Sequence, residues 1–237
     1  MSWLRELWGQ FFRKPHPVIL KNQEVFADFD QSRPLSCYDF VVFDTELTGL
    51  NKRRDEIISI GAVKIKNLHI ELSSAFHELI MPKKLDSSDS TLIHRITPEQ
   101  LRHARSAEEV LPEFIEFCGN SLLVGHFVGI DMAFLNRTCK RVLGGYIHNP
   151  SVDTMRLARG YIEGRGVYGY GHTDQSISYR LEDLTSRFNL PRFKPHDALE
   201  DAMQTAYLFL FLLKKLKKGG IQTLKQLYKA GRIWHLM

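Results

Sequence analysis

Two strand-like segments separated by a short turn constrain the fold of this chain more than any other feature. They are EIISIGAVKI, residues 56–65, and HIELSSAFHELI, residues 69–80, and the turn-forming link between them predicts a β-hairpin. The apolar run YDFVVF precedes the hairpin, and after it helical patterns alternate with short apolar strands such as SLLVG. Antiparallel strands followed by alternating strands and helices predict an α/β fold, with a mixed sheet flanked by helices.

Capping residues mark where the central helices begin. Thr97 followed by Pro98 predicts one helix start, and Ser106 with Glu109 forms a capping box at the start of the next helix. Pro112 is awkward inside that second helix, because proline lacks the N–H that an interior turn uses, so a later start is the alternative.

The remaining segments predict three parts of unequal length. Residues 1–37 are expected to hold an amphipathic helix and a proline-containing connector, residues 38–213 the main α/β domain, and residues 214–237 a basic tail. Within the main domain, the glycines between residues 160 and 177 predict a long mobile loop.

The first 14 residues, MSWLRELWGQFFRK, have apolar side chains at helical spacing. Arg5 and Glu6 interrupt any apolar core of a secretory signal, so we interpret the segment as an amphipathic helix. Its apolar face is expected to pack on its own domain or on a second copy, and a protein partner or a membrane surface is the alternative.

Composition limits the partners and the compartment. The chain has 237 residues, a formal net charge of +5 and a pI near 9.1, which permits a polyanionic partner without requiring one. Its three cysteines have no CxxC spacing, which indicates neither a disulfide framework nor a zinc site and favours a cytoplasmic location. The longest apolar run, YLFLFLL, is far shorter than the ~20 residues of a membrane-spanning helix, so no transmembrane anchoring is expected.

Two carboxylates, Asp44 and Glu46, follow the YDFVVF run two residues apart. Residues i and i+2 of a strand point to the same face, so the two side chains share one small volume. Like charges held this close raise each other's pKa unless a cation lies between them. A solvated strand end is the alternative interpretation.

Two further acids fall where an α/β sheet would bring them to the same place. Asp131 opens a helix after SLLVG, and Asp201 lies in the first turn of the last long helix, four residues after Asp197. Each is also explained by the helix dipole alone, which favours acids in a first turn. Strand ends and helix starts nevertheless meet in one crevice of such sheets, where carboxylates suit two Mg²⁺ or Mn²⁺ ions rather than zinc.

The segments FDTELTGL, GHFVGIDMAFL and HDALEDA resemble the three motifs of the DEDDh exonucleases, the DnaQ-like group typified by the proofreading subunit of bacterial replicative DNA polymerase. The resemblance covers residues 38–212 and implies an RNase H-like fold with two-metal 3′→5′ hydrolysis of nucleic acid. Its H-x4-D spacing selects Asp201 over Asp197 and adds His196 as the base that accepts a proton from the attacking water. The residues it implies as metal ligands are Asp44, Glu46, Asp131 and Asp201.

The resemblance also implies contacts to substrate. Thr48, Gly49 and Leu50 would hold the 3′-terminal nucleotide, with Leu50 against the terminal base. The chain departs from the family pattern at Leu47, Phe127 and Ile130. Phe127, a candidate substrate-binding residue, would either stack on a base or fill core, and of the two we favour core.

The catalytic residues do not distinguish DNA from RNA, because metal-bound phosphate chemistry does not depend on the sugar. We expect the 3′ ends of single-stranded DNA as substrate, with exoribonuclease or oligoribonuclease activity as the alternative. The basic residues that follow residue 213, six lysines and Arg232, are expected either to hold a phosphate backbone or to form a solvated helix end. A catalytically silent interaction module and a different phosphohydrolase are the rival functions.

Overall fold

A computed structural model describes residues 14–83, 96–166 and 177–231. The amphipathic helix predicted at residues 1–14 therefore lies almost wholly outside the described residues, and it stays a prediction.

The described residues form strands and helices whose order matches the predicted pattern of a hairpin followed by alternating elements. The strands are β1 (Phe40–Leu47), β2 (Ile57–Lys66), β3 (His69–Leu79), β4 (Leu122–Gly125) and β5 (Ser151–Asp153). The helices are α1 (Pro17–Val25), α2 (Pro98–Arg102), α3 (Ala107–Cys118), α4 (Gly129–Leu143), α5 (Thr154–Gly166), α6 (Leu181–Arg187), α7 (Ala198–Lys218) and α8 (Leu224–Ala230), with a 3-10 turn at Leu35–Cys37.

The strands form one mixed sheet in the order β3-β2-β1-β4-β5. β2 is antiparallel to both β1 and β3, whereas β4 is parallel to β1 and β5. The β2–β3 turn has Asn67 and Leu68 in the left-handed region, with φ of 50° and 61°, as a two-residue hairpin turn requires. The predicted mixed sheet flanked by helices is confirmed, and its strand order and helical layers are those of an RNase H-like fold.

Helices cover both faces of the sheet, each over its own apolar core. Val41 and Phe114 belong to the core under α1, α3 and α4. Phe40 and Phe209 belong to the core under α5 to α8, with ring centroids 5.0 Å apart. Gly61 of β2 lets α7 approach closely, since a Cβ there would lie 2.1 Å from backbone atoms of α7's first turn. This approach fixes the start of α7 over the end of β1.

The predicted connector at residues 15–37 is partly helical, so that prediction was wrong for α1. His16 caps this helix through Nδ1, which accepts from the Val18 N–H, and Pro17 occupies the first helical position, where proline is favoured. Ile19 is buried in the core, and the buried Asn22 donates to Asn149 Oδ1 at 2.6 Å. The prolines therefore mark a helix start rather than an irregular segment.

The prediction of a glycine-rich loop at residues 160–177 was wrong for its first part, because α5 continues to Gly166. A Cβ at Gly160 would lie 2.7 Å from the carbonyl oxygen of Ala230, so this glycine serves the packing of α5 on α8. Residues 167–176 of the predicted loop lie outside the described residues.

The capping predictions for α2 and α3 are confirmed. Thr97 and Gln100 form a capping box with Pro98 in the first turn of α2. The capping box of Ser106 opens α3 at Ala107, and Pro112 lies inside that helix, so the later start was wrong. Two satisfied donors at the cap, together with the buried apolar face of α3, outweigh the one interior hydrogen bond that proline removes.

The predicted limits of the main domain do not coincide with the ends of the packed core. α7 continues to Lys218, and Leu216, Leu224 and Leu227 beyond residue 213 are buried in the same core as Phe209. Within the described part of the chain, no helix is both long enough and apolar enough to cross a membrane.

Candidate active site

The end of β1 presents Asp44 and Glu46 on the face of the sheet that α7 covers. Asp44 lies opposite Gly61 of β2 and Glu46 lies opposite Ser59, and the register shifts directly after Glu46. Side chains two residues apart share a face because the strand is pleated. The backbone of β1 therefore delivers both carboxylates to one end of the sheet.

The first turn of α7 separates the two acids that helical spacing alone left equivalent. Asp197 is the N-cap, and its Oδ1 accepts from the Leu199 and Glu200 N–H groups at 3.1 and 3.2 Å. Asp201 faces the sheet, and its Oδ2 accepts from the His196 N–H at 3.0 Å. Capping thus engages Asp197, while Asp201 keeps oxygen lone pairs directed toward β1.

One carboxylate oxygen from each of Asp44, Glu46 and Asp201 lies within 4.8 Å of the other two. Within the described residues, these three acids are spaced closely enough to hold a metal ion together. All three side chains are only partly buried. Ligands that are all carboxylate oxygens suit a hard divalent cation such as Mg²⁺ or Mn²⁺. The residues present therefore fit the predicted metals.

Asp131 borders this group without belonging to it. It is buried in the first turn of α4, and its Oδ1 accepts from the Thr45 hydroxyl at 2.5 Å. Thr45 lies between Asp44 and Glu46 in the strand, so its side chain points to the opposite face. The sequence analysis missed Thr45, although a hydroxyl residue placed between two acids of a motif is a recognisable signal.

Burial raises the pKa of all four acids, and repulsion within the group adds to it for Asp44 and Glu46. The pKa of Asp44 is well above its usual range, first through burial and then through the charges of Asp131, Asp201 and Glu46. Burial, with the nearby charge of Asp201, raises the pKa of Glu46 to about 7. Burial raises the pKa of Asp201 and that of Asp131 to about 6 each. A bound divalent cation would remove this repulsion.

His196 lies beside the acid cluster, the group of Asp44, Glu46 and Asp201, in a constrained backbone conformation. Its φ is 63°, in the left-handed region that non-glycine residues seldom occupy, and its side chain is exposed. Side chains of α7 hold the segment before it: Gln204 Oε1 accepts from the Phe193 N–H at 2.9 Å, and Glu200 Oε2 accepts from the Lys194 N–H at 3.1 Å. The role of the His196 ring in catalysis stays a prediction.

The turn after β1 carries the residues expected to hold the terminal nucleotide. The Thr48 N–H donates to the Glu56 carbonyl at 2.9 Å, and the Thr48 hydroxyl accepts from the Glu56 N–H at 3.0 Å. A Cβ at Gly49 would lie 2.5 Å from Asp55 Oδ2, so only glycine fits there without displacement. Leu50 is 73% exposed. The turn is tightly closed at its base and leaves one apolar side chain in solvent.

Arg137 of α4 braces the same turn, and no motif in the sequence indicated it. Its guanidinium donates to the backbone carbonyls of Lys52 and Asp55 and lies over the Phe134 ring. One turn later, Arg141 pairs with Glu56 at 2.7 Å. The helix that carries Asp131 therefore also fixes the turn that carries Leu50.

Phe127 follows β4 with φ of 54° and is 40% exposed, so the expectation that it fills core was wrong. Its N–H donates to Asp153 Oδ1 at 3.1 Å, and its ring meets the His126 ring edge-on at 4.9 Å. The left-handed backbone turns the side chain outward instead of into the sheet. Base stacking by Phe127 stays a prediction.

His126 is the second histidine near the crevice, and it is unsuited to proton transfer. Its Nδ1 lies 2.9 Å from the Thr154 hydroxyl and its Nε2 lies 2.8 Å from the Tyr179 carbonyl oxygen. Burial lowers the pKa of His126 to about 4, so the ring is neutral at physiological pH. Its contacts join β4 to the segment before α6.

Comparison with known proteins places this geometry in a family. The exonuclease family RNase T matches residues 41–209, a span that includes Asp44, Glu46, Asp131, His196 and Asp201. The chain belongs to this exonuclease family. It is 33% identical over 195 residues to DNA polymerase III subunit epsilon of Aquifex aeolicus, covering 81% of this chain and 90% of that protein.

A longer relative matches through a small part of its length. The chain is 40% identical over 209 residues to the PolC-type DNA polymerase III of Thermotoga petrophila, which covers 88% of this chain and 14% of that polymerase. The chain thus spans about one seventh of that protein. Residues 41–209 form an exonuclease domain of the DnaQ-like group.

Solved structures agree on the fold. Exonuclease X in complex with 5′ overhanging duplex DNA superposes with a TM-score of 0.58 and 24% identity, covering 81% of this chain and 99% of that one. E. coli Exonuclease I in complex with a dT13 oligonucleotide superposes with a TM-score of 0.63 and 16% identity, covering 77% of this chain and 42% of that one. Both matches support the RNase H-like architecture.

Proposed function

We propose that this exonuclease domain is a metal-dependent 3′→5′ exonuclease that hydrolyses single-stranded nucleic acid, with DNA favoured, to nucleoside monophosphates. The observation that carries the proposal is the approach of carboxylate oxygens from Asp44, Glu46 and Asp201 to within 4.8 Å of one another. Acids with raised pKa values at that separation need a cation to be stable in their charged form at neutral pH.

Asp44, Glu46 and Asp201 would hold two Mg²⁺ or Mn²⁺ ions, with Asp131 contributing from the border of the group. Such ions neutralise phosphate charge and lower the pKa of a bound water. The exposed ring of His196 is free to accept the proton of the attacking water from the solvent side. Asp201 supports this role, because its carboxylate fixes the His196 backbone.

The exposed apolar residues support a polymer with unpaired bases as substrate. Leu50 is 73% exposed, Phe127 40% and Ile130 38%. Leu50 follows Glu46 by four residues, and Phe127 and Ile130 lie within four residues of Asp131. Apolar and aromatic side chains of this kind pack on base faces whatever the base or the sugar. The 5′ overhanging duplex and the dT13 oligonucleotide bound by structural relatives are DNA, which supports the preference for DNA.

The similarity to epsilon and PolC-type relatives supports a second proposal, that the chain associates with a partner protein in DNA replication or repair. Residues 1–14, by their amphipathic pattern, are the segment proposed for that contact or for self-association. Deleting residues 1–14 should then leave hydrolysis intact while abolishing co-purification or dimer formation.

The direct test is a time course on a 5′-labelled single-stranded oligonucleotide, as DNA and as RNA, with Mg²⁺, with Mn²⁺ and with a chelator. We expect a ladder that shortens from the 3′ end, requires metal and is absent for Asp44→Ala. Faster shortening of RNA would favour the exoribonuclease alternative. If neither Mg²⁺ nor Mn²⁺ supports cleavage, and Asp44→Ala binds metal as the wild type does, the chain would instead be a catalytically silent interaction module.

A further inference from the structure

Lys52, Arg53 and Arg54 are consecutive, exposed residues in the turn between β1 and β2. We call residues 51–55 the basic turn. Among the residues that the structure describes, no ion pair reaches Lys52 or Arg53, and Arg54 has only Asp55 at 3.8 Å while its side chain is 80% exposed. The basic turn thus presents almost unneutralised positive charge to solvent.

Two sets of hydrogen bonds hold the backbone of the basic turn, one within the turn itself and one from α4. Asp55 Oδ2 accepts from the Asn51 N–H at 2.7 Å, and Asn51 Oδ1 accepts from the Arg53 N–H at 3.0 Å. Arg137 binds the carbonyls of Lys52 and Asp55 from the other side. Because the backbone is already ordered, a ligand that binds the basic side chains meets a preorganised surface.

The position of the basic turn relates it to the acid cluster. Lys52 lies six residues after Glu46, so even a fully extended chain places it within about 20 Å of the cluster. Leu50 is exposed in the same connection. The clustered carboxylates repel phosphates, and a nearby set of fixed cations offsets this repulsion for the part of a polyanion outside the metal site.

We propose that the basic turn binds backbone phosphates of the nucleic-acid strand next to the nucleotide held at the acid cluster. The contacts give affinity that depends on salt and not on base sequence. The inference rests on the proposed function, which names a polymeric phosphodiester as substrate. Arg137 acts as a positioning residue, since its contacts are to the backbone of the basic turn and it has no assigned contact to the nucleic acid.

The test compares two double variants that remove the same charge. Lys52→Gln/Arg53→Gln neutralises the basic turn and keeps Arg54, whose neighbour Asp55 closes the turn. Lys217→Gln/Lys218→Gln is the control at the end of α7, where exposed lysines line a cavity with Leu68 and His69 of the β2–β3 turn. That turn lies at the opposite end of the sheet from Glu46, because β1 begins beside the end of β2.

Affinity for a 5′-labelled 12-nucleotide single strand is measured by anisotropy in an Asp44→Asn background with Mg²⁺, from 50 to 300 mM salt. We expect the log–log slope of affinity against salt to become shallower by about 1.4 for the basic-turn pair, since each lost contact to a single strand removes about 0.7. The control pair should leave the slope unchanged. Equal changes for both pairs would reflect net charge alone and overturn the proposal, as would an unchanged slope for the basic-turn pair.

Hydrolysis assays with Asp44 intact separate this inference from the proposed function. The substrates are the same 12-mer and the p-nitrophenyl ester of thymidine 5′-monophosphate, which has no neighbouring phosphate. We expect kcat/KM of Lys52→Gln/Arg53→Gln to fall several-fold more on the 12-mer than on the ester. Equal losses on both would place the effect at the metal site and overturn the inference. If the protein with Asp44 intact cleaves neither substrate, while the two double variants still differ in salt slope, the proposed function is refuted and the inference is not.

Discussion

At the scale of single residues, the acid cluster is held against its own electrostatic repulsion. Asp44 and Glu46 come from one strand and Asp201 from a helix, and burial adds to their mutual repulsion. The fold imposes this arrangement, because β1 and the first turn of α7 are each fixed by large apolar cores. Removing one charge should therefore weaken function and strengthen the fold.

Asp44→Asn keeps the size of the side chain and removes its charge. We expect hydrolysis to fall by about 10²–10⁴-fold, since several kcal/mol of metal-dependent stabilisation of the transition state is lost. Thermal unfolding with chelator at pH 8 should shift upward by about 2–4 °C for each kcal/mol of repulsion relieved. The exposed acid variant Asp28→Asn is the control for both measurements. A lower unfolding temperature for Asp44→Asn would make this carboxylate structural.

The raised pKa values also predict how stability depends on pH. Glu46 has a pKa of about 7 and Asp201 of about 6 in the folded chain, against roughly 4 for unfolded carboxyls. Between these pKa values the folded state binds more protons than the unfolded state. The contribution of the two carboxyl groups to the free energy of unfolding is therefore greatest below pH 4 and is lost as the pH rises to 7.

In the presence of chelator, the free energy of unfolding measured by denaturant titration should decrease between pH 5 and pH 7.5. Mg²⁺ should reverse this decrease, and binding of the ion should release more protons at pH 6 than at pH 9. A chelated protein whose stability rises over this interval, with the rise absent in Asp44→Asn, would contradict the prediction.

Thr45→Val tests the hydroxyl that contacts Asp131. The change keeps the shape of the side chain but removes one donor to a buried carboxylate, and a hydrogen bond to a charged group contributes about 1.5–3 kcal/mol. We expect that loss of unfolding free energy together with a reduced kcat. Thr138→Val in α4 is the matched control, because its buried hydroxyl donates to the Phe134 carbonyl. Equal activities of the two variants would show that Thr45 only stabilises the fold.

At the scale of elements, the site depends on how closely α7 approaches β2. Gly61 permits that approach, since a Cβ would lie 2.1 Å from the backbone of Ala198 and Leu199. The same close contact holds the N-cap Asp197 and Asp201 over the end of β1. The packing of one helix on one strand therefore sets the distance between carboxylates that are far apart in sequence.

Gly61→Ala should move the start of α7 away from the sheet. We expect a loss of about 1–3 kcal/mol of unfolding free energy, as for other overpacked positions, and weaker Mg²⁺ binding by calorimetry. Gly129→Ala is the control, because a Cβ there meets nothing within 4 Å. Unchanged metal affinity in Gly61→Ala would show that the cluster does not depend on this contact.

At the scale of the whole molecule, charge is divided between the two ends of the sheet. The acid cluster and the basic turn lie at one end, and the lysines that end α7 lie at the other beside the β2–β3 turn. The core extends past the main domain predicted from the sequence, since α1 covers one face and α8 the other. The ends of the described chain thus contribute to the fold.

Leu227→Ala tests whether the C-terminal segment is part of the core. Leu227 is fully buried although it lies outside the predicted domain limits, and truncating a buried leucine costs about 2–5 kcal/mol. The exposed variant Lys225→Ala is the control. Denaturant unfolding should show one cooperative transition with a lower midpoint for Leu227→Ala. A midpoint equal to that of the control would mean that α8 is a detachable tail.

Some features followed from the sequence because they depend on local spacing. The hairpin, the caps at Thr97 and Ser106 and the pairing of Asp44 with Glu46 are set by neighbours along the chain. Phe127 was assigned wrongly because its side chain direction depends on a left-handed backbone that tertiary contacts impose. Proline in α1 and glycine in α5 were interpreted as irregular structure, although each is compatible with a helix at the position it occupies.

By itself, the sequence determined the fold class, the order of the elements and the acids that belong to three motifs, because strand alternation and motif spacing are local. Only the tertiary structure decided which acids meet: Asp201 joins Asp44 and Glu46, while Asp131 bonds to Thr45 at the border. It also decided that Arg137 braces the turn with Leu50. Such contacts join residues that are far apart in the chain, and their distances are set by the packing of helices on the sheet.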